Sequence, residues 1–175
     1  VDLKEFEQKA ADLRVLGMKI SIGQDTVYEK YWDEDCRRNI YSASKSFTSC
    51  AVGFAVQEGL IDLDERLMDA FKEDIPNNPD ENLKKATVKD LLTMTLGQEK
   101  GFLMGKQRPR MEEQNWVKAS LAIPFVYEPG THFVYNNVGP YLAGILVQRR
   151  AGCDLLSYLT PRLLKPLGIR KTIWE

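Results

Sequence analysis

Between Ser46 and Gln57 the chain carries no charged side chain, although 28% of all its residues are charged. Within that run Phe47, Cys50, Ala51 and Phe54 recur at intervals of three and four, the period of one helix face. A helix this poor in charge has to be surrounded by protein rather than water. The spacing therefore predicts a buried helix from about Ser44 to Gly59, with the glycine as its stop. Cys50 reads as a small, unreactive core residue on that helix. Lys45 sits at the helix start, a setting in which lysine is seldom found without a partner.

Ser42 lies three residues before Lys45, and residues three apart share a helix face. This places Ser42 at the first helical turn with Lys45 directed at its Oγ. A serine hydroxyl is a poor nucleophile until a base within hydrogen-bonding reach activates it. The helix start adds partial positive charge and a free backbone N–H, both suited to a developing oxyanion. An ammonium ion cannot accept a proton, so Lys45 or a neighbour must be deprotonated. Tyr135-Asn136-Asn137 offers that neighbour. A lysine and a phenol that approach each other depress one another's pKa. Tyr135 can then act as base, held as phenolate by Lys45, or the two roles can be exchanged. The Asn137 amide can accept from Lys45 and donate to a substrate carbonyl. Ser42, Lys45, Tyr135 and Asn137 are thus the candidate catalytic residues, expected to converge in space. Lys106, Arg108 and Arg110 form a basic stretch that reads as a solvated loop. The rival reading is a site for an acidic substrate group. Trp32, Trp116 and Phe125 read as core, with Trp116 also able to line a groove. His132 reads as a loop side chain with no role.

The bulk sequence removes several other functions. Basic and acidic side chains number 24 and 25 for a net charge of -1, so nothing calls for nucleic acid. Three cysteines, Cys36, Cys50 and Cys153, stand at unrelated spacings and suggest neither a disulfide framework nor a metal site. The single histidine argues against a histidine-built metal centre and leaves little room for a Ser-His-Asp triad. No cofactor is implied. No apolar run reaches the length of a membrane span. Val1-Asp2-Leu3-Lys4-Glu5 lacks the charge-then-apolar order of a signal peptide, which weighs toward the cytoplasm.

The remaining pattern organises the chain. Leu3, Phe6, Ala10 and Leu13 predict an amphipathic helix over 2–14. Met18–Ile22 and Val27–Trp32 alternate around Gly23-Gln24-Asp25-Thr26 and predict a β-hairpin, followed by a charged loop from Asp33 to Tyr41. Asp62–Glu65 reads as a polar connection and Pro76–Asp80 as a turn. Thr87 caps a helix carrying Val88, Leu91, Leu92 and Thr95, closed by Gly97. Residues 98–110 are irregular, and Met111 to Leu121 reads as a helix. Glu128-Pro129-Gly130-Thr131 suits a turn. Leu142, Ile145, Leu146 and Arg149 mark a helix ending near Gly152, and Asp154 caps the next. Pro161 predicts a fresh turn at Thr160. Two strands do not make an independently stable sheet, so the hairpin is expected to pair through an exposed edge.

Taken together, these segments resemble the serine β-lactamase-related hydrolases: class C β-lactamases, penicillin-binding DD-peptidases and related esterases. The resemblance rests on Tyr41-Ser42-Ala43-Ser44-Lys45-Ser46-Phe47, on Gly53 and Glu58–Asp64, and on Val88–Thr95. It continues in Pro129–Gly139 and Leu164–Ile169. It implies Ser42 as the acylated nucleophile, Lys45 as its activating lysine, Tyr135 as general base and Asn137 as the motif asparagine. Asn136 stands where the family usually has serine, at a position tolerant of side chain. The family's third motif, Lys-Thr-Gly or His-x-Gly on a sheet strand, has no match. The implied fold is α+β, β-lactamase/transpeptidase-like, represented by its N-terminal helix and hairpin, the nucleophile helix and a mostly helical subdomain. Residues 1–60 would form the N-terminal part of the α/β region and 61–175 the helical remainder. The implied function is a serine hydrolase acting through an acyl-enzyme on an amide, β-lactam, D-alanyl peptide or ester, here as an incomplete catalytic domain. A non-catalytic, penicillin-binding-like or regulatory binding module is the alternative.

Overall fold

A computed structural model describes residues 3–34 and 36–174. The Asp2 start expected for the first helix and Asp35 of the charged loop fall outside the described residues. By internal contacts the chain divides between Ile40 and Tyr41. Within the second unit the uncharged helix packs against the helices that follow it.

The first unit holds α1 (Lys4–Asp12) and an antiparallel pair, β1 (Gly17–Ile22) and β2 (Asp25–Tyr31). The hairpin forms where the alternation predicts. Gly17 faces Tyr31 and Ile20 faces Tyr28, but Ser21 faces Thr26, so the register shifts by one residue at a bulge. α1 is held to β2 by polar contacts. Tyr28 donates to Glu7 Oε1 at 2.8 Å, and Lys30 donates to Glu7 Oε2. Phe6 meets Trp32 edge-on at 6.3 Å between ring centroids.

The second unit is a helical assembly around two long elements, α2 (Ser44–Gln57) and α7 (Val138–Ala151). The others are α3 (Leu67–Ala70), α4 (Glu81–Lys85), α5 (Val88–Thr93), α6 (Trp116–Leu121) and α8 (Leu155–Leu159). α2 buries Thr48, Ala51, Val52 and Ala55, one face at helical spacing. Cys50 is on the other side and exposed, which corrects its expected place in the core. The uncharged run holds two faces, and the described core covers only one. α7 is buried more completely, through Val138, Leu142, Ala143, Gly144, Leu146 and Val147. Gly139 explains how close α7 comes to α5: a Cβ there would sit 2.3 Å from the Leu91 carbonyl oxygen. Phe71, Leu83, Leu121 and Tyr158 fill the same core.

Caps account for most boundaries. Thr87 and Asp90 form a reciprocal capping box at the start of α5. That helix ends at Thr93, before the expected Gly97, because Met94 turns into the left-handed region at φ 56°. Asn115 accepts from the N–H groups of Val117 and Lys118, so α6 starts at Trp116 and not at Met111. Asp154 caps α8 through Ser157 N–H. Beyond Leu159 a fresh turn starts at Thr160 with Pro161 at its first positions, as expected: a π-type turn over Thr160–Leu164, with Lys165 N–H donating to the Thr160 carbonyl at 2.8 Å. Proline removes a donor, and the wider turn closes past it. Arg162 from this turn and Tyr158 from α8 both bond to Glu58 just past α2. Burial first, then the Glu58 carboxylate, push the Tyr158 hydroxyl up to about 12.

Candidate active site

Ser42 lies in a 3-10 turn, Tyr41–Ala43, that runs directly into α2. Tyr41 holds a left-handed φ of 46°, a conformation that bulky residues adopt only when their surroundings impose it. Lys45 on the first turn of α2 donates to Ser42 Oγ at 3.1 Å. Tyr135 arrives from the loop before α7, with its hydroxyl 2.7 Å from the same oxygen. Its ring is also close to Lys45, with Nζ 5.2 Å from the centroid. One serine oxygen therefore meets an amine and a phenol that lie far apart in sequence. The Ser42 hydroxyl first and Lys45 second stabilise the phenolate, so the Tyr135 pKa falls below its ordinary value of 10.0.

Backbone packing holds Tyr135 in place. Gly101 lies against it so closely that a Cβ would come within 2.6 Å of the Tyr135 carbonyl oxygen. Val134 N–H donates to the Met94 carbonyl at 3.0 Å. Asn136 is buried, accepts from Gly139 N–H at 2.9 Å and donates to the Val134 carbonyl at 2.8 Å. It therefore links the Tyr135 loop to α7. An asparagine three residues before Gly139 at a helix start was the available signal.

Asn137 reaches the same cavity but not in the expected pose. Its amide donates to the Leu103 carbonyl at 2.9 Å, and no hydrogen bond joins it to Lys45 among the described residues. Leu103 is buried in a left-handed conformation at φ 55°, which presents that carbonyl to Asn137. Asn137 thus ties the 98–110 segment to the start of α7. His132 stacks on Tyr127 at 4.2 Å between ring centroids, and its Nδ1 lies 2.8 Å from Thr131 Oγ1.

Ser42 and Lys45 open into a cavity of about 690 Å³, walled by α2, α7, the start of α8 and the loop from Leu103 to Trp116. Trp116, Tyr141 and Trp174 supply aromatic surface, and Arg108 lines it as well. No group of His, Cys, Asp and Glu suited to a metal occurs among the described residues.

The Beta-lactamase family pattern matches residues 4–175. The chain belongs to the β-lactamase family. Among curated relatives, monacolin J acid methylbutanoyltransferase of Aspergillus terreus is 31% identical over 157 residues. That match covers 78% of this chain and 37% of the relative. Lovastatin esterase of Penicillium rubens is 31% identical over 150 residues, covering 73% of the chain and 37% of the esterase. The chain thus spans between a third and two fifths of the length of these relatives. The octameric penicillin-binding protein homologue from Pyrococcus abyssi superposes with a TM-score of 0.73. It is 24% identical, and the match covers 97% of this chain and 44% of that one. The fold is β-lactamase/transpeptidase-like, here mostly helical with a two-stranded sheet among the described residues. No described helix is long and apolar enough to cross a membrane.

Proposed function

We propose that Ser42, Lys45 and Tyr135 are the nucleophilic centre of a serine acyl-transfer enzyme. The observation that carries this is the double contact on Ser42 Oγ, from Lys45 at 3.1 Å and from Tyr135 at 2.7 Å. Tyr135 as phenolate takes the Ser42 proton while Oγ bonds to the substrate's acyl carbon. Lys45 keeps its charge and steadies both oxygens. The tetrahedral intermediate collapses as the bond to the leaving alcohol or amine breaks, and Tyr135 returns the proton to that group. Water or a second alcohol then attacks the acyl-enzyme by the reverse path, giving hydrolysis or acyl transfer. Asn137 does not meet Lys45 here, so its part is to hold the Leu103 loop against the site.

Residues 1–175 contain neither a Lys-Thr-Gly nor a His-x-Gly sequence. The resemblance gives that motif part of the oxyanion hole, so the 175-residue chain alone is expected to acylate poorly or not at all with ordinary substrates. Pairing of the hairpin with a further strand belongs to the same reading, since two strands are marginal alone. The relatives named for acyl transfer and ester hydrolysis support an ester as the scissile group. The test is side-by-side kinetics on an aryl ester, a chromogenic β-lactam and a D-Ala-D-Ala peptide, with Ser42→Ala as control. Ester turnover that disappears in Ser42→Ala is the expected result. Turnover that survives the substitution would remove Ser42 from the chemistry.

A further inference from the structure

One deeply buried carboxylate takes no part in the chemistry at Ser42. Asp74, three residues past Phe71 at the end of α3, is only 5% exposed, and its N–H donates to the Phe71 carbonyl at 2.8 Å. A buried carboxylate persists only where partners replace the water it has lost. Asp74 divides its two oxygens between two such partners. Oδ2 accepts from Arg149 Nη1 at 2.6 Å, and Oδ1 accepts from Asn115 Nδ2 at 2.9 Å. Arg149 lies in the last turn of α7, and its guanidinium also covers the Phe71 ring, 5.6 Å from the centroid.

Both partners lead to the cavity wall. Asn115 caps α6: its Oδ1 accepts from Val117 N–H at 3.0 Å and from Lys118 N–H at 3.2 Å, while its amide nitrogen is held by Asp74. The Asn115 side chain is thus fixed from both ends, and the next residue is Trp116, which lines the cavity with Ser42 and Lys45. α7 brings Tyr141 to the same wall, where the two rings meet at 6.0 Å with a tilt of 58°. Burial, the largest cause, raises the Tyr141 pKa above 10.0, and Arg149 and Asp74 act on it in opposite directions. One carboxylate therefore ties the start of α6 to α7, the two elements that carry the aromatic pair. A cap satisfies the first turn of a helix, and a charge-assisted bond to that cap fixes where the turn stands.

We propose that Asp74 is a positioning residue of the acyl-transfer site: through Asn115 it sets where Trp116 stands in the cavity wall, and so which sizes of acyl group reach Ser42 in a reactive pose. Asp74 does not itself line the cavity. Its effect at Ser42 rests on the acyl-transfer reading; the placing of Trp116 does not.

Two fluorophosphonates, one bearing a methyl group and one a naphthylmethyl group, read the size preference as the ratio of their Ser42 labelling rates. Asp74→Asn keeps the shape of the side chain but loses the charge that Arg149 and Asn115 share. It should slow the bulky reagent about tenfold relative to the small one, since misplacement by about 1 Å can cost roughly a hundredfold. Asn115→Ser can still cap α6 but cannot reach Asp74, and should change the ratio in the same direction. Trp116→Ala should change it too, and adding Asp74→Asn to Trp116→Ala should change nothing further, because the carboxylate acts through that ring. A ratio that stays put in Asp74→Asn and Asn115→Ser, or a full further effect of Asp74→Asn on top of Trp116→Ala, would overturn the proposal. Should Asp74→Asn fail to fold, the Asn115→Ser ratio decides. Fluorine NMR of the protein carrying 5-fluorotryptophan reads the wall without any acylation, with the Trp116 signal assigned by its loss in Trp116→Phe. Asp74→Asn should shift that signal and leave the Trp32 signal in place. An unmoved Trp116 signal would overturn the tether. A shifted signal with no labelling of Ser42 would refute acyl transfer while leaving the tether standing.

Discussion

Ser42 shares its oxygen with two partners, and their chemistry sets how the site should respond to pH. The Ser42 hydroxyl and then Lys45 favour the charged form of Tyr135, so its pKa lies below 10.0. A phenolate base is populated as pH rises through that lowered value. Acylation of Ser42 should therefore climb with pH and level off below pH 10, the ordinary tyrosine value. In Lys45→Gln the support is lost and the climb should move to higher pH. A pH profile of acylation rate in both proteins checks this. A profile unmoved in Lys45→Gln would show that Lys45 does not support the base. Tyr135→Phe removes the acceptor and should slow acylation by roughly a hundredfold or more. At this scale much was legible: a lysine in an uncharged helix needed a partner, and a serine three residues away supplied one. The pose of Asn137 was not legible, because it depends on Leu103 adopting a left-handed backbone that no local pattern marks.

The elements were legible where one buried face or one cap decides them. The uncharged helix, the hairpin and the helix ending at Gly152 follow from period and punctuation. The short helices α3 and α4 did not stand out, because four or five residues are too few to display a period. Met111 to Leu121 overran for a related reason: apolar spacing continues past a cap, and only Asn115 accepting two N–H groups fixes the start. Cys50 was misplaced because a charge-free helix does not reveal which of its faces the core takes. Close approach is equally silent in sequence. α5 and α7 meet through Gly139, and alanine there would set its Cβ 2.3 Å from a backbone oxygen. Gly139→Ala should destabilise the fold by about 1–3 kcal/mol, since neither helix can yield without moving the core. Denaturant unfolding measures the loss. Stability equal to that of the unaltered protein would mean that the α5–α7 contact is slack.

At the scale of the second unit, a helical core brings Lys45 and Tyr135 to one serine oxygen. α2 carries Lys45 and continues the turn that holds Ser42, α7 begins just after Tyr135, and the two helices pack together, so the site depends on the same contacts that hold the second unit. Order of motifs along the chain was enough to recognise the family. Their convergence required the α2–α7 contact, which is long-range and written in no local stretch. The most direct test of the central claim is timed exposure of the protein to a fluorophosphonate, with the adduct located by peptide mass mapping. The account predicts a single adduct on Ser42, forming slowly in the 175-residue chain and roughly a hundredfold more slowly still in Tyr135→Phe. An adduct on another serine, no adduct at all, or an equal rate in Tyr135→Phe would contradict it.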